Sequence, residues 1–321
     1  MKQSEFETRH QQFWHEFEQK LALNQQSETH LGTDFPESYR LLCHHLSLAR
    51  TRHYSPLLVE RLEKLVINAQ QIFYKRKTHF LSSFYVYFSG GFSRAVRKDW
   101  HWVAVSSVLF FGAFFGMLVS LQYYPDMVYT VISAEQIAEM ENMYNPQSGD
   151  PLRNSDASSD FEMFGFYIFN NTGIGLRTFA SGLFFGIGCV FTLLFNGVVI
   201  GGIAGHLTYI GYGSTFWPFV SGHSALELTA IVLSGAAGFK LGFSIISPGR
   251  KTRLRALRDS AKEAVYLMYG VATMFVLAAF IEAYWSSITE LTPMIKYSVG
   301  VIFWLFVILY FVFAGRKNAT R

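Results

Sequence analysis

Beyond residue 100 the chain alternates uncharged stretches of roughly 18 residues or more with short polar linkers. That is the length at which an apolar helix crosses a bilayer. The stretch 216–246 is apolar enough to span, yet carries His223 and Glu227 one helical turn apart. Residues at i and i+4 share a helix face. Ser234, Gly238 and Gly242 follow at four-residue spacing, a stripe that admits a close neighbouring helix. A first span is expected at 102–121, with Gly112 and Gly116 spaced for packing, and two late spans at 264–285 and 294–314.

The run between 163 and 212 admits two readings. Asn196-Gly197 is a turn dipeptide, so the run is either one long span or two, at 178–195 and 198–212. Orientation favours two. Six Lys or Arg lie in the linker 248–262, and further basic residues (Arg94, Arg97, Lys98) precede the first span. Both segments therefore belong on the cytoplasmic side. The segment 125–162 holds eight acidic residues against Arg153 alone and reads as an external loop with a short helix near 133–144. Three crossings must then link residue 160 to residue 250, which gives about six spans and two cytoplasmic termini. Glycines 182 and 186, and 197, 201 and 205, recur on helical faces as packing positions; Gly201→Leu is expected to cost more than Val199→Leu.

The first 80 residues follow a different pattern. Phe6, Phe13, Trp14, Phe17 and Leu21 recur at three- and four-residue steps between charges. A second helix runs through Tyr39, Leu42, Leu46 and Ala49. Ser55-Pro56 is an N-cap followed by proline at the first helical position, opening a third through Leu58, Leu62 and Leu65. These form a cytoplasmic bundle in which His44, His45 and His53 are expected to be solvated. Residues 81–99 mix aromatics with Arg94, Arg97 and Lys98, as an interfacial elbow would. The division expected is 1–99 (bundle and elbow) and 100–321 (membrane domain, with the acidic loop at 125–162).

Composition fits this all-α polytopic class. Half the residues are hydrophobic, 16% are charged and 32 are phenylalanine. The net charge of +4 comes from basic runs flanking spans, so nucleic acid is not an expected partner. Cys43 and Cys189 lie in separate regions, which argues against a disulfide or a cysteine metal site. The start MKQSEFETRH lacks an apolar core, so a cleaved signal peptide is not expected.

Ionisable groups inside spans usually face a bundle interior and mark function. Entering near Pro218, His223 lies about 8 Å deep and Glu227 about 14 Å. Glu282 is expected near the outer end of the fifth span. Arg177, just after Asn170-Asn171, is placed at the outer mouth of the second. Arg177, His223, Glu227 and Glu282 would then form one compensated polar layer, with Asn170, Asn171 and Asn196 as accessory groups. H-x-x-x-E is not H-E-x-x-H, and His206 sits at another depth, so neither a metal site nor a cofactor is expected. Lys240 should reach the cytoplasmic face.

The stretches YIFNNTGIGLRTFASGLFFGIG, LFNGVVIGG, HSALELTAIVLSGAAGFKLG, SPGRKTRLRAL and IEAYW resemble the stage II sporulation protein M family of bacterial membrane proteins. The N-terminal YRLLCHHLSLAR and LEKLVINAQQIFYKR are similar to the cytoplasmic part of its longer members. The resemblance implies a multi-pass protein of the bacterial inner membrane. In spore-formers the family acts with peptidoglycan-remodelling partners in engulfment, but longer members also occur where no spores form. It implies no established enzymatic activity.

Together these point to a non-enzymatic assembly or anchoring component of a membrane or envelope complex, with other envelope proteins, the lipid bilayer or a second copy as partners. The alternative is an ion- or proton-coupled transporter using the His/Glu layer, although no inverted repeat is evident; an intramembrane metal-dependent hydrolase is third. A structural layer requires Glu227→Gln to lower stability. A transport site requires it to fold normally and lose function.

Overall fold

The computed structural model describes residues 2–27, 34–73, 80–147, 157–288 and 290–316. Residues 28–33 between the first two helices, 148–156 in the middle of the acidic loop and the tail 317–321 lie outside the described residues. Among the described residues all regular structure is helical, in two compact units, Met1–Phe80 and Leu81–Arg321.

The first unit packs α1 (Gln3–Ser27), α2 (Phe35–Thr51) and α3 (Pro56–Phe73). Phe6, Trp14, Phe17 and Leu21 form one wall of its core, against Leu42 and Ala49 of α2 and Leu58, Leu62 and Leu65 of α3. The Ser55 hydroxyl accepts from the Leu58 amide at 3.4 Å, so Ser55-Pro56 opens α3 as read. His44 and His53 are exposed, but His45 corrects the expectation of a solvated ring. It is 2% exposed and its Nδ1 accepts from Trp14 Nε1 at 3.1 Å. Burial, with His10 alongside, pushes its pKa down to about 4.

The second unit opens with α4 (Phe80–Val86), a π turn at Tyr87–Gly91 and α5 (Phe92–Lys98). Six long helices follow: α6 (Trp100–Ser120), α8 (Ala157–Ser181), α9 (Ile187–Tyr209), α10 (Gly213–Ile246), α11 (Arg253–Ile281, continued by a π turn Glu282–Ser286) and α12 (Pro293–Phe313), with the short α7 (Ala134–Tyr144) between α6 and α8. Among the described residues five of the six are long and apolar enough to cross a membrane; α8 has the length but more polar residues. Helices α6, α9 and α11 run one way and α8, α10 and α12 the other. This gives the unit an α7 end and a basic end, the latter carrying the linker before α11. The 81–99 elbow belongs to this unit. Arg97 there turns from the expected headgroup layer to the carbonyls of Phe311 (2.6 Å) and Ala314 (2.8 Å), satisfying the open end of α12.

The largest correction concerns 163–212. Asn196-Gly197 is not a turn but mid-helix in α9, and the chain reverses at 182–186, where Phe185 (φ 54°) and Gly186 (φ 80°) adopt left-handed backbone. The run is therefore built from α8, α9 and α10, of which α9 and α10 are long and apolar enough to cross a membrane; α8 begins inside the segment read as an external loop. The reversal sits on α10 because Gly182 meets the backbone of Gly238, and Gly242 meets the backbone of Gly182 and Gly186, with no room for a Cβ on Gly182 or Gly242. Gly197, Gly201 and Gly205 do the same against Phe110, Phe114 and Leu118 of α6. Gly112 and Gly116 do not pack: a Cβ on either would meet nothing within 4 Å.

Helix α10 is the central post, 72% buried over its apolar window against 17–44% for the other spans. Its thirty-four residues begin at Gly213, three turns before the polar pair. At the basic end Lys240, 13% exposed, joins Asp99 (2.7 Å) and Glu263 (2.6 Å), so it is neutralised locally as it reaches that end.

Candidate functional site

His223 and Glu227 project from α10 towards the end of α11, and there the π turn matters. It presents Glu282 and Ser286 to the two nitrogens of one imidazole. Ser286 Oγ lies 3.1 Å from His223 Nδ1. Nε2 faces Glu227 Oε2 at 3.9 Å and Glu282 Oε1 at 4.0 Å, too far for hydrogen bonds. Two neighbours fix the turn. Gly222 leaves the space that the Trp285 ring fills, and Lys296 Nζ of α12 donates to the Ser286 carbonyl at 2.7 Å.

These groups lie at one side of a chamber of about 690 Å³. Its walls come from α6 (Phe111, Phe114, Phe115), α8 (Met163, Phe166, Tyr167), α9 (Ile200, Ile203), α10 and α12 (Val301, Trp304), and Met140, Met143 and Tyr144 of α7 close the α7 end. Phe115, Phe166 and Val301 are 56%, 57% and 59% exposed, so the chamber opens between α6, α8 and α12. Aromatic and sulfur-bearing walls around a few convergent polar groups are the usual make-up of a small-molecule site.

The expected four-residue layer is only partly assembled. His223, Glu227 and Glu282 converge, but Arg177 does not join them. Because α8 starts at 157, Arg177 lies twenty residues along it, roughly 30 Å from its start and close to the basic end. It is exposed and its Nε bonds the Gly173 carbonyl at 3.1 Å. Among the described residues the ion pairs of Glu227 and Glu282 are with His223 alone. Asn170 and Asn171 line the chamber, whereas Asn196 returns its amide to the Thr192 carbonyl in α9, away from it. Asn171 is 3% exposed, and its Nδ2, like Glu282 Oε2, is buried without a hydrogen-bond partner among the described residues.

His206 is occupied elsewhere, with Nε2 2.7 Å from Glu141 Oε1, a contact that ties α7 to α9. The capping box of Ser133 and Gln136 starts α7, and Tyr144 packs edge-on against Phe216 and Phe219 of α10. Ser286, Tyr144 and the chamber itself escaped the sequence reading. Ser286 stands four residues after Glu282, as Glu227 does after His223, and that spacing was available in the sequence.

A bundle of apolar helices around an acidic chamber defines a polytopic helical membrane protein with a polar site inside its spanning domain. The chain belongs to the stage II sporulation protein M family, whose model matches residues 105–287. That match contains His223, Glu227, Glu282 and Ser286. A second family model, described as a domain of unknown function (DUF8413), matches residues 4–75, the three helices of the first unit. No curated protein and no solved structure matches the chain.

Proposed function

We propose that this protein is an ion-coupled carrier or receptor of the bacterial inner membrane with both termini in the cytoplasm. Its chamber takes a small amphiphilic molecule, and the His223/Glu227/Glu282 corner takes a proton or cation. One observation carries the reading: two carboxylates and an imidazole share a laterally open chamber of about 690 Å³ while their ion pairs among the described residues are only with one another. Arg177, the cation expected to compensate the layer, stands near the other end of α8.

The carrier reading inverts the stability expectation. Removing one partner of a compensated buried pair costs about 3–5 kcal/mol. Removing one of two carboxylates crowding an imidazole should cost little. Glu227→Gln and Glu282→Gln are therefore expected to melt in detergent at or above the parent temperature. Native mass spectrometry of the full chain released from membranes should show a bound organic molecule, excluded by Val301→Trp at the chamber mouth. A several-degree loss of melting temperature in both Gln variants, with an empty parent chamber, would return the polar layer to a structural role.

A second reading, assembly or anchoring of an envelope complex, has its own support. The first unit has a separate core and a separate family model, and α3 leaves Leu57 81% exposed. Cross-linking in intact membranes should then join α3 to one protein in near-stoichiometric yield, and Leu57→Glu should abolish the link without unfolding the bundle. If α3 yields no dominant cross-link, this reading fails.

A further inference from the structure

We infer that His223, Glu227 and Glu282 form a binding site for a divalent transition-metal ion, with its open coordination position facing the chamber. The inference rests on the reading of the chamber as a cation-coupled site and names the cation.

Geometry comes first. One ligand atom from each residue lies within 4.8 Å of the other two. Some point is therefore within about 2.8 Å of all three, and inward shifts of about 0.6–0.8 Å reach the roughly 2.0–2.2 Å of nitrogen and oxygen ligands to zinc-like ions. Side-chain rotation covers such a shift, because no protein hydrogen bond locks the facing atoms. The imidazole is already oriented. With Nδ1–H donating to Ser286 Oγ, the lone pair of Nε2 points at the carboxylates, the outer-sphere arrangement that fixes metal-binding histidines. Lys296 and Trp285 hold the turn that carries Ser286.

The donor set selects the ion. Calcium and magnesium favour all-oxygen shells, whereas an imidazole with two carboxylates suits first-row transition ions. Charge agrees. Two carboxylates inside a spanning domain are costly unless paired, and a divalent cation neutralises both. Glu282 Oε2 makes no short hydrogen bond, its polar neighbour being the side chain of Asn171. Three protein ligands leave at least one coordination position for water or for an oxygen or nitrogen of the chamber's occupant, the arrangement of a working site rather than a closed structural one. Asn171, on the chamber wall, offers a donor to such a group.

The test is a Co2+ titration of the full chain, stripped with chelator and held in detergent. The parent should bind one Co2+ per chain with a visible ligand-field spectrum that Zn2+ displaces and Ca2+ does not. His223→Gln and Glu282→Gln should abolish that spectrum, and Ser286→Ala should weaken binding about 10–100-fold. Melting of each metal-free variant beside the metal-free parent separates lost ligation from lost fold. If a ligand variant unfolds, Ser286→Ala alone decides: unchanged affinity there overturns the site. A folded parent that takes up no stoichiometric Co2+, or a His223→Gln variant that binds as the parent does, also overturns it. Val301→Trp distinguishes this from the carrier reading, since it should exclude the organic occupant and leave one Co2+ bound. Metal without any organic occupant supports the site and sinks the carrier; an organic occupant without metal does the reverse.

Discussion

Gly116→Ala and Gly201→Ala are the same chemical change in two apolar helices, and the structure assigns them opposite signs. Gly201 of α9 rests on the backbone of Phe114, where an added Cβ would stand 2.9 Å from both Cα and the carbonyl carbon and closer still to the oxygen. Ordinary carbon contacts begin at about 3.5 Å, so α6 and α9 must separate locally by about 0.6 Å or more. Overpacking of this kind costs about 1–3 kcal/mol. The helix propensity of alanine over glycine returns up to about 1 kcal/mol, leaving a net loss of up to about 2 kcal/mol. At Gly116 the Cβ meets nothing within 4 Å, so only the propensity gain applies, up to about 1 kcal/mol of stabilisation. Thermal unfolding in one detergent, followed by circular dichroism, should rank Gly116→Ala at or above the parent and Gly201→Ala below it. Gly201→Leu should fall further, while Val199→Leu stays within about 1.5 kcal/mol of the parent. Equal melting of the two alanine variants would refute the argument that backbone contact, rather than glycine content, holds α6 to α9.

Two further outcomes are expected. His45 accepts from an indole that can only donate, so the folded bundle holds the ring neutral while the unfolded chain protonates near 6.5. The bundle's stability is therefore full above pH 6.5 and falls towards pH 4; a His45→Gln variant with the same acid profile in chemical denaturation would contradict this. Cysteines at Ser287 and Thr252 should label from opposite sides of the membrane, Ser287 from outside only, and external labelling of Thr252 would overturn the proposed orientation.

The sequence revealed α10 because one signal carried it: apolar length with a pair of ionisable residues four apart. Helix α8 was hidden by Asp160, Glu162, Asn170, Asn171 and Arg177, which break the hydropathy run. Its buried face nevertheless repeats as Tyr167, Asn171, Gly175 and Thr178, a helical period with small and polar members. Asn196-Gly197 misled because that dipeptide is a turn signal where water can solvate the backbone; in α9 the glycine is required by the Phe110 carbonyl and the asparagine bonds within its own helix. Gly112 and Gly116 show the limit of spacing, which groups residues on a face without saying what the face meets. Misplacing the α8 start carried Arg177 to the wrong end and made the polar layer look compensated. The chamber was not legible, because its walls come from six helices whose side chains each read as ordinary apolar surface.

The π turn at Glu282–Ser286 carries one residue more per hydrogen-bonded loop than the α-helix it extends. Deleting a single residue inside it would let α11 run on as regular helix, because four α-helical residues at about 100° each sweep nearly the same arc as the five of the wider turn. Residues 253–281 and the chain beyond 286 would then keep their phase, and only the side chains within the turn would be dealt out afresh. A spanning helix can thus admit or lose an insertion one codon long without unseating either flank, so related sequences of the same helix count can differ at this corner with almost no change in hydropathy.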